Sequence, residues 1–211
     1  MKVLLAGAAG NIGSAIGAEL RARGHQVVGL TRSGKAPEGL AIPVTAGDVS
    51  DAATVAELAA GVDAVISAVG PGHGEVTGNP YLEAQEALVQ ALRKAGVSRL
   101  LVVGGAGSLQ DGSGQRLVDS SDFPAAWKPD ALRQAEALNA YRRIDDLDWT
   151  YISPAAVIGP GERTGTYRRG GDQVVVDEQG ESRISYADYA VAVVDELEQG
   201  NALRRRITAA Y

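Results

Sequence analysis

The stretch that decides the fold is MKVLLAGAAGNIG, residues 1–13. Four apolar residues, Val3 to Ala6, run directly into three glycines, Gly7, Gly10 and Gly13, which are spaced three residues apart. Apolar side chains at helical spacing follow, and a further glycine at position 24 ends that segment. This order predicts a buried strand, a tight turn and a helix that starts directly after the turn.

The same alternation of strand and helix continues along the chain of 211 residues. Strand–helix units of about 30 residues imply an α/β fold with a doubly wound, mostly parallel sheet and helices on both faces. We expect strands at 3–6, 27–30, 42–45, 62–67, 100–103, 149–153, 174–176 and 206–209. We expect helices at 11–23, from a cap at Ser50 or Thr54, at 81–95, from Pro129, and at 186–197 after a cap at Ser185.

Length and composition narrow the class of protein and of partner. The length favours a single domain over residues 1–211, with residues of about 154–185 forming a small lobe on the substrate side. No apolar run approaches the roughly 20 residues of a membrane span, no signal peptide is visible, and cysteine is absent. The net charge of −6 argues against nucleic acid. We expect a cytoplasmic protein with a small-molecule partner, no metal and no membrane, as a monomer or weak homo-oligomer.

The three glycines have the positions that a dinucleotide-binding turn requires. Glycines permit the tight turn, let the backbone approach a pyrophosphate and let the helix pack on the strand. The helix N-terminus then offers free N–H groups and partial positive charge to the phosphates. The alternative is a tight turn that binds no ligand. The residues predicted to bind the pyrophosphate are Gly7, Gly10, Asn11, Ile12 and Gly13.

The end of the second strand predicts which dinucleotide is bound. Proteins that bind NAD usually place Asp or Glu here to bind the adenine ribose 2′-hydroxyl. This chain instead has Arg32 and Ser33 and no carboxylate. Because a guanidinium can hold a 2′-phosphate with charge-assisted hydrogen bonds, we expect NADP(H) to be preferred over NAD(H). The alternative is that Arg32 is a solvated loop charge.

Two further strand ends are expected to contact the dinucleotide. Asp48 and Val49 follow the third strand, where Asp48 either accepts a hydrogen bond from the adenine amino group or forms a turn before Ser50. The end of the fourth strand is expected to pass close to the ribose and the pyrophosphate, where small residues fit. Its predicted contact residues are Ser67, Ala68, Val69 and Gly70.

Seven segments, spread over nearly the whole chain, carry a resemblance to a known family. They are GAAGNIG (7–13), TRS (31–33), GDVSD (47–51), SAVGPG (67–72), RLLVVGGAGSL (99–109), LDWTYISPAAVIGPGERTGTYR (147–168) and RISYADYA (183–190). With these segments the chain resembles the NAD(P)H-binding, NmrA-like group of atypical short-chain dehydrogenases/reductases. Within that group it is most similar to proteins named NADH-flavin reductases, which are related to flavin reductase/biliverdin reductase B.

The resemblance implies a Rossmann-type fold and main-chain contacts from Ala155, Ala156 and Val157 to the nicotinamide carboxamide. The flavin/biliverdin reductase branch uses a serine after the fifth strand and a histidine after the sixth. Only Ser108 lies near the first position, and the histidine is absent from the second. His73, in the glycine-rich loop after the fourth strand, is a second catalytic candidate, because a histidine there could donate a proton near neutral pH. The alternative is an exposed loop histidine.

The chain departs from most short-chain dehydrogenases in its acid/base residues. No tyrosine is followed by a lysine four residues later, so ordinary alcohol–ketone interconversion is not expected. Hydride transfer to a flavin or quinone needs only binding, orientation and exclusion of water. We therefore expect an NADPH-dependent oxidoreductase, with flavin as a substrate and not as a bound cofactor. The alternatives are an NADP(H)-binding sensor of NmrA-like type with negligible turnover, and an isomerase or epimerase.

Two groups of residues are candidates for contact with an acceptor. Phe123 and Trp127, in the irregular segment 104–128, form either an aromatic platform for a flavin ring or a plug on the core. Arg168 and Arg169 either border the substrate mouth, where they would favour anionic acceptors such as a flavin phosphate, or are solvated charges.

Overall fold

The computed structural model describes residues 1–72 and 77–211. The strands are β1 (Lys2–Ala6), β2 (Gln26–Thr31), β3 (Val44–Ala46), β4 (Ala64–Ser67), β5 (Arg99–Val103), β6 (Asp148–Pro154), β7 (Val157–Gly159), β8 (Arg168–Gly170), β9 (Arg183–Ser185) and β10 (Arg205–Ala210). The helices are α1 (Asn11–Ala22), α2 (Ala52–Ala59), α3 (Pro80–Ala95), α4 (Lys128–Tyr141) and α5 (Tyr186–Gln199), with a single 3-10 turn at Leu117–Asp119.

Eight strands form one sheet in the order β3-β2-β1-β4-β5-β6-β10-β8. Every neighbouring pair is parallel except β8, which runs antiparallel to β10. β7 and β9 form a separate parallel pair. The doubly wound, mostly parallel α/β fold is therefore confirmed. The strand order reverses between β1 and β4, and a ligand crevice is expected at this point, beyond the carboxyl ends of the strands.

The first strand shows why the sheet is covered on both faces. Leu5 and Val3 are buried in the core that α1 and α5 cover, whereas Leu4 and Ala6 are buried in the core that contains α2 and α3. Successive side chains of a strand point to opposite faces, so a strand that is buried on both sides must be apolar throughout. The continuous apolar run in the sequence is the result.

The structure differs from the predicted elements at several places, which include the unpredicted strands β7, β8 and β9 and a later start of β4. Residues 174–176 form no strand, because Val175 packs on the core while the Val174 N–H donates to the Gln110 carbonyl (2.8 Å). The sheet instead gains β8. The cap of α2 is Asp51, whose carboxylate accepts from the N–H groups of residues 53 and 54, so the prediction of Ser50 or Thr54 is wrong. The third strand begins two residues later than predicted.

The predicted cap of α5 is confirmed. The Ser185 hydroxyl accepts from the Asp188 N–H at 2.9 Å. Glycines in the left-handed region follow α3 and α5, at Gly96 and Gly200, where they end these helices.

Candidate functional site

A cleft of about 1280 Å³ lies over the carboxyl ends of the parallel strands. One end is formed by the loops after β1, β2 and β3, and the other by the loop after β5, residues 117–131 and the start of α3. The loops after β4 and β6 lie between them. The cleft therefore extends across the switch point between β1 and β4, as the strand order predicts.

Two of the three glycines are required by close approach of the backbone. Gly7 has φ +81°, and a Cβ there would lie 2.7 Å from the carbonyl of Ala68 at the end of β4. A Cβ on Gly13 would lie 2.1 Å from the Gly7 carbonyl oxygen. Gly10 is different, because a Cβ there meets only the Gly7 oxygen, at 3.6 Å, and the residue lines the cleft. Gly7 and Gly13 thus shape the turn, and Gly10 keeps its cleft side clear.

The N-terminus of α1 follows this turn without a side-chain cap. Gly10 is its N-cap residue, and its first turn contains no acidic residue. Helix N-termini leave N–H groups without intrahelical partners and carry partial positive charge, so this end suits an anion. Of the predicted pyrophosphate contacts, Gly7 and Gly10 line the cleft, whereas Asn11, Ile12 and Gly13 are not among its lining residues.

Arg32, Asp48 and Val49 line the cleft at the end nearest β2 and β3, and Arg32 is exposed. Asp48 Oδ1 accepts from both the N–H (2.9 Å) and the hydroxyl (2.7 Å) of Ser50. Of the two roles expected for Asp48, these hydrogen bonds are those of a turn before Ser50. These hydrogen bonds and the nearby Arg32 guanidinium hold the pKa of Asp48 below its usual range. The Asp48 contact with adenine stays a prediction. Ser33 is not a lining residue; its hydroxyl accepts from the Lys35 N–H (3.4 Å).

The predicted residues after β4 and β6 lie in the middle of the cleft. Ala68, Val69 and Gly70 line it, but Ser67 is fully buried, and its hydroxyl has no hydrogen-bond partner among the described residues.

The segment after β6 also lines the cleft, through Ala155, Ala156 and Val157. The N–H groups of Ala156 and Val157 donate to the hydroxyl and carbonyl of Ser182, at 3.1 and 2.9 Å. Contacts from these two residues to a ligand are therefore limited to their carbonyls and side chains.

The two catalytic candidates have different outcomes. His73 lies outside the described residues. Ser108 is not among the lining residues; its hydroxyl accepts from Arg206 Nη1 at 3.3 Å, and its carbonyl accepts from Nη2 at 3.4 Å. Arg206 is buried and also binds Asp172 (2.7 Å), so the contacts of Ser108 join its loop to β10. Its catalytic role stays a prediction.

Sequence reasoning missed Tyr81, the second residue of α3. It is 3% exposed and lines the cleft, while its hydroxyl is buried without a hydrogen-bond partner among the described residues. Burial, together with nearby tyrosines of which Tyr151 is the foremost, raises the Tyr81 pKa far above its usual value. The phenol therefore stays protonated. The sequence did offer one indication of this role, because Tyr81 lies at the start of α3, the helix that follows β4.

Residues 117–131 contribute what we call the aromatic wall, formed by Leu117, Phe123, Trp127 and Ala131. Trp127 is 61% exposed, so it does not plug the core.

Of the two alternatives for Arg168 and Arg169, the structure does not show a place at the mouth of the cleft, because neither is among the lining residues. Arg168 donates to the carbonyls of Val176 and Tyr211, and Arg169 pairs with buried Glu196 (2.6 Å). These contacts hold both side chains at the β8 edge of the sheet.

Within residues 1–72 and 77–211, no group of three or more His, Asp or Glu side chains could hold a metal ion. The helices of the same residues include none that is long and apolar enough to cross a membrane.

Comparison with known proteins identifies the family of this chain. The model of a family described as NAD(P)H-binding matches residues 7–197. The chain belongs to this NAD(P)H-binding family. Its matched region begins at the first glycine of the turn and extends into α5, so it includes all the residues that line the cleft except Ala6. The family resemblance inferred from the seven sequence segments is confirmed.

Individual known proteins are similar to this chain over nearly its full length. Protein YwnB of Bacillus subtilis (strain 168) is 40% identical over 211 residues, which cover 99% of this chain and 97% of that protein. A solved structure named "putative exported protein", from Burkholderia pseudomallei, is 48% identical with a TM-score of 0.90 and full coverage of both chains. A "putative NADH-flavin reductase" from Streptococcus pneumoniae TIGR4 is 37% identical with a TM-score of 0.84, covering 100% of this chain and 99% of that one.

Proposed function

We propose that this protein is an NADPH-dependent oxidoreductase that reduces a flavin, a quinone or a similar conjugated acceptor. The observation that carries the proposal is the continuity of the cleft, which extends from the glycine turn to the aromatic wall. A dinucleotide over the turn would have its nicotinamide end beyond β4, on the side of the aromatic wall. The 37% identical protein named as an NADH-flavin reductase supports the same reading.

The space around the glycine turn suits the backbone approach that a dinucleotide requires. Side-chain atoms at Gly7 or Gly13 would meet backbone, whereas the space beside Gly10 is open to the cleft. The backbone there can approach a pyrophosphate, and the uncapped start of α1 offers N–H groups to it. Arg32, at the end of β2, is placed to bind a 2′-phosphate.

The residues of the chain contribute binding, orientation and exclusion of water. When bound, the dinucleotide supplies a hydride, which is two electrons and one proton, to the acceptor, and the balancing proton comes from water. In the aromatic wall, exposed Trp127 and half-buried Phe123 would offer apolar ring surface to a conjugated acceptor. Tyr81 is no base near neutral pH, because burial raises its pKa.

The test combines coenzyme binding with turnover. Calorimetric titration with NADPH and NADH should give tighter binding of NADPH. Oxidation of NADPH, followed by its absorbance, should then depend on an added flavin or quinone. If neither coenzyme binds, the whole proposal is wrong.

A second candidate function is an NADP(H)-binding sensor with negligible turnover. The observation that favours it is the engagement of Ser108 by Arg206, which leaves that serine outside the cleft. Binding of NADPH without oxidation across a panel of flavins and quinones would support the sensor.

The proposal also includes the domain organisation and the location of the protein. We propose a single domain in which residues 154–185 form the acceptor-side lobe, and a cytoplasmic location. Cell fractionation with an antibody tests the location, and recovery of the protein outside the cytoplasm would contradict it.

A further inference from the structure

We propose that the acceptor half of the cleft selects by charge, taking uncharged planar acceptors such as riboflavin or a neutral quinone and disfavouring phosphorylated flavins. The inference rests on the proposed function, because it specifies the acceptor class of the same cleft. It sets aside one of the two alternatives for Arg168 and Arg169, the attraction of a flavin phosphate, since both side chains are bound elsewhere.

The charged residues of the cleft are separated along its length. Among the described residues that line it, Arg32 is the one cationic side chain, and it lies at the β2 end. The acids at the opposite end are Asp122 and Asp130, both next to the aromatic wall. Asp130 forms an ion pair with Arg133, so the selection by charge rests on Asp122. A phosphate carried by an acceptor would meet the Asp122 carboxylate, and the phosphates of a bound dinucleotide would add further negative potential.

Two arginines near the aromatic wall have acidic partners. Arg133 pairs with Asp130 at 2.8 Å, and Arg116 pairs with Asp119 at 2.7 Å. Lys128, the first residue of α4, is exposed and is not among the lining residues.

The helix ends that border this half of the cleft do not offset the acids. α4 begins at the aromatic wall with Asp130 in its first turn, and α3 begins with Glu83 in its first turn. An acid in the first turn already opposes the partial positive charge of a helix N-terminus. These two helix N-termini therefore add little to the affinity of this half of the cleft for an anion.

The apolar surfaces explain why a planar ring would still bind. Trp127 is 61% exposed, and Phe123 is half-buried beside it in the aromatic wall. Aromatic faces stack on conjugated rings without needing charge, so the ring system is held while an attached phosphate is repelled.

The first test compares riboflavin with FMN, which share the ring and differ by one phosphate. Each is titrated by its fluorescence into the protein saturated with NADP⁺. The dissociation constant of FMN is expected to be about tenfold higher than that of riboflavin, and the difference is expected to shrink as salt is added. Equal binding, tighter binding of FMN, or no binding of either flavin would overturn the inference.

Reversing the charge at Asp122 should improve the binding of FMN relative to riboflavin, and a misfolded variant could not produce such an improvement. Asp122→Lys should lower the ratio of the FMN to the riboflavin dissociation constant by about tenfold or more. The matched control is Asp145→Lys, which makes the same charge change in the exposed turn after α4, at the opposite end of that helix. An unchanged ratio in Asp122→Lys, or an equal fall in both variants, would count against selection by charge at the cleft.

The two proposals fail in different measurements. If riboflavin binds better than FMN but NADPH is never oxidised, the oxidoreductase proposal is wrong and the charge selection stands. If both flavins are reduced and bind equally well, the oxidoreductase proposal stands and the charge selection is wrong.

Discussion

At the scale of single residues, the glycines of the turn divide into those required for folding and one expected to be required for binding. Gly13→Ala places a Cβ 2.1 Å from the Gly7 carbonyl oxygen, a backbone atom that has little room to move. We expect the free energy of unfolding to fall by at least about 2 kcal/mol, as overpacking of a close contact predicts. Urea denaturation measures the change.

Gly10→Ala should have the opposite profile. Its Cβ meets only one atom, at 3.6 Å, so unfolding should be nearly unchanged. The added methyl group faces the cleft, where the pyrophosphate is expected, and NADPH affinity should fall by about tenfold. A stable variant with unaltered NADPH affinity would show that the pyrophosphate does not lie on this turn.

Arg32 provides the test of coenzyme preference. Arg32→Ala removes the single cationic side chain found among the described lining residues, and with it the charge-assisted contact to a 2′-phosphate. The affinity for NADPH should fall by about tenfold to a hundredfold, while that for NADH changes little. Calorimetry gives both constants; the NADPH preference is refuted if their ratio in the variant equals that of the parent protein.

At the scale of elements, α5 is joined to the loop after β7 and to the end of β10 through Asp188. This side chain is fully buried and accepts from the Thr164 hydroxyl (2.7 Å), the Gly165 N–H (2.7 Å) and the Tyr211 hydroxyl (2.7 Å). Burial favours the neutral acid, but these hydrogen bonds outweigh it and hold the pKa of Asp188 below its ordinary 3.8.

Because that pKa is lower in the folded state, the ionised carboxylate adds stability above the ordinary value and loses it as the pH falls through the folded value. Asp188→Asn should therefore lower the free energy of unfolding by about 2 kcal/mol at neutral pH. The difference from the parent protein should disappear in strong acid. Urea denaturation across a pH series measures both limits, and a difference independent of pH would exclude linkage to this carboxylate.

The elements also show how far the sequence could predict this fold and site. β1 and the glycine turn were predictable because the apolar run, the spacing of the glycines and the contact between Gly13 and Gly7 are local in the chain. β8 and β9 were missed, since RRG and RIS contain charged residues and pair only with strands that are distant in the chain. Arg206 and Ser108, 98 positions apart, illustrate the same limit for side chains. Propensity and spacing carry no information about such contacts.

At the scale of the whole molecule, both cores are built on the same strands, with alternate residues of β1 in each. Neither core can be lost while the other keeps its sheet. We expect thermal unfolding to be a single transition, with the same midpoint by far-UV and near-UV circular dichroism. Two separate midpoints would show that the lobe of residues 154–185 is an independent unit, contrary to the proposed single domain.

The chain has two tryptophans, and the fold gives them very different surroundings. Trp149 is 2% exposed and donates its indole N–H to the Ile144 carbonyl at 3.0 Å, whereas Trp127 stands 61% exposed in the aromatic wall. The molecule thus contains a pair of intrinsic optical reporters. Acrylamide should quench the emission of Trp127 alone, and an occupied acceptor site should shield it, while Trp149 reports only the loss of the core.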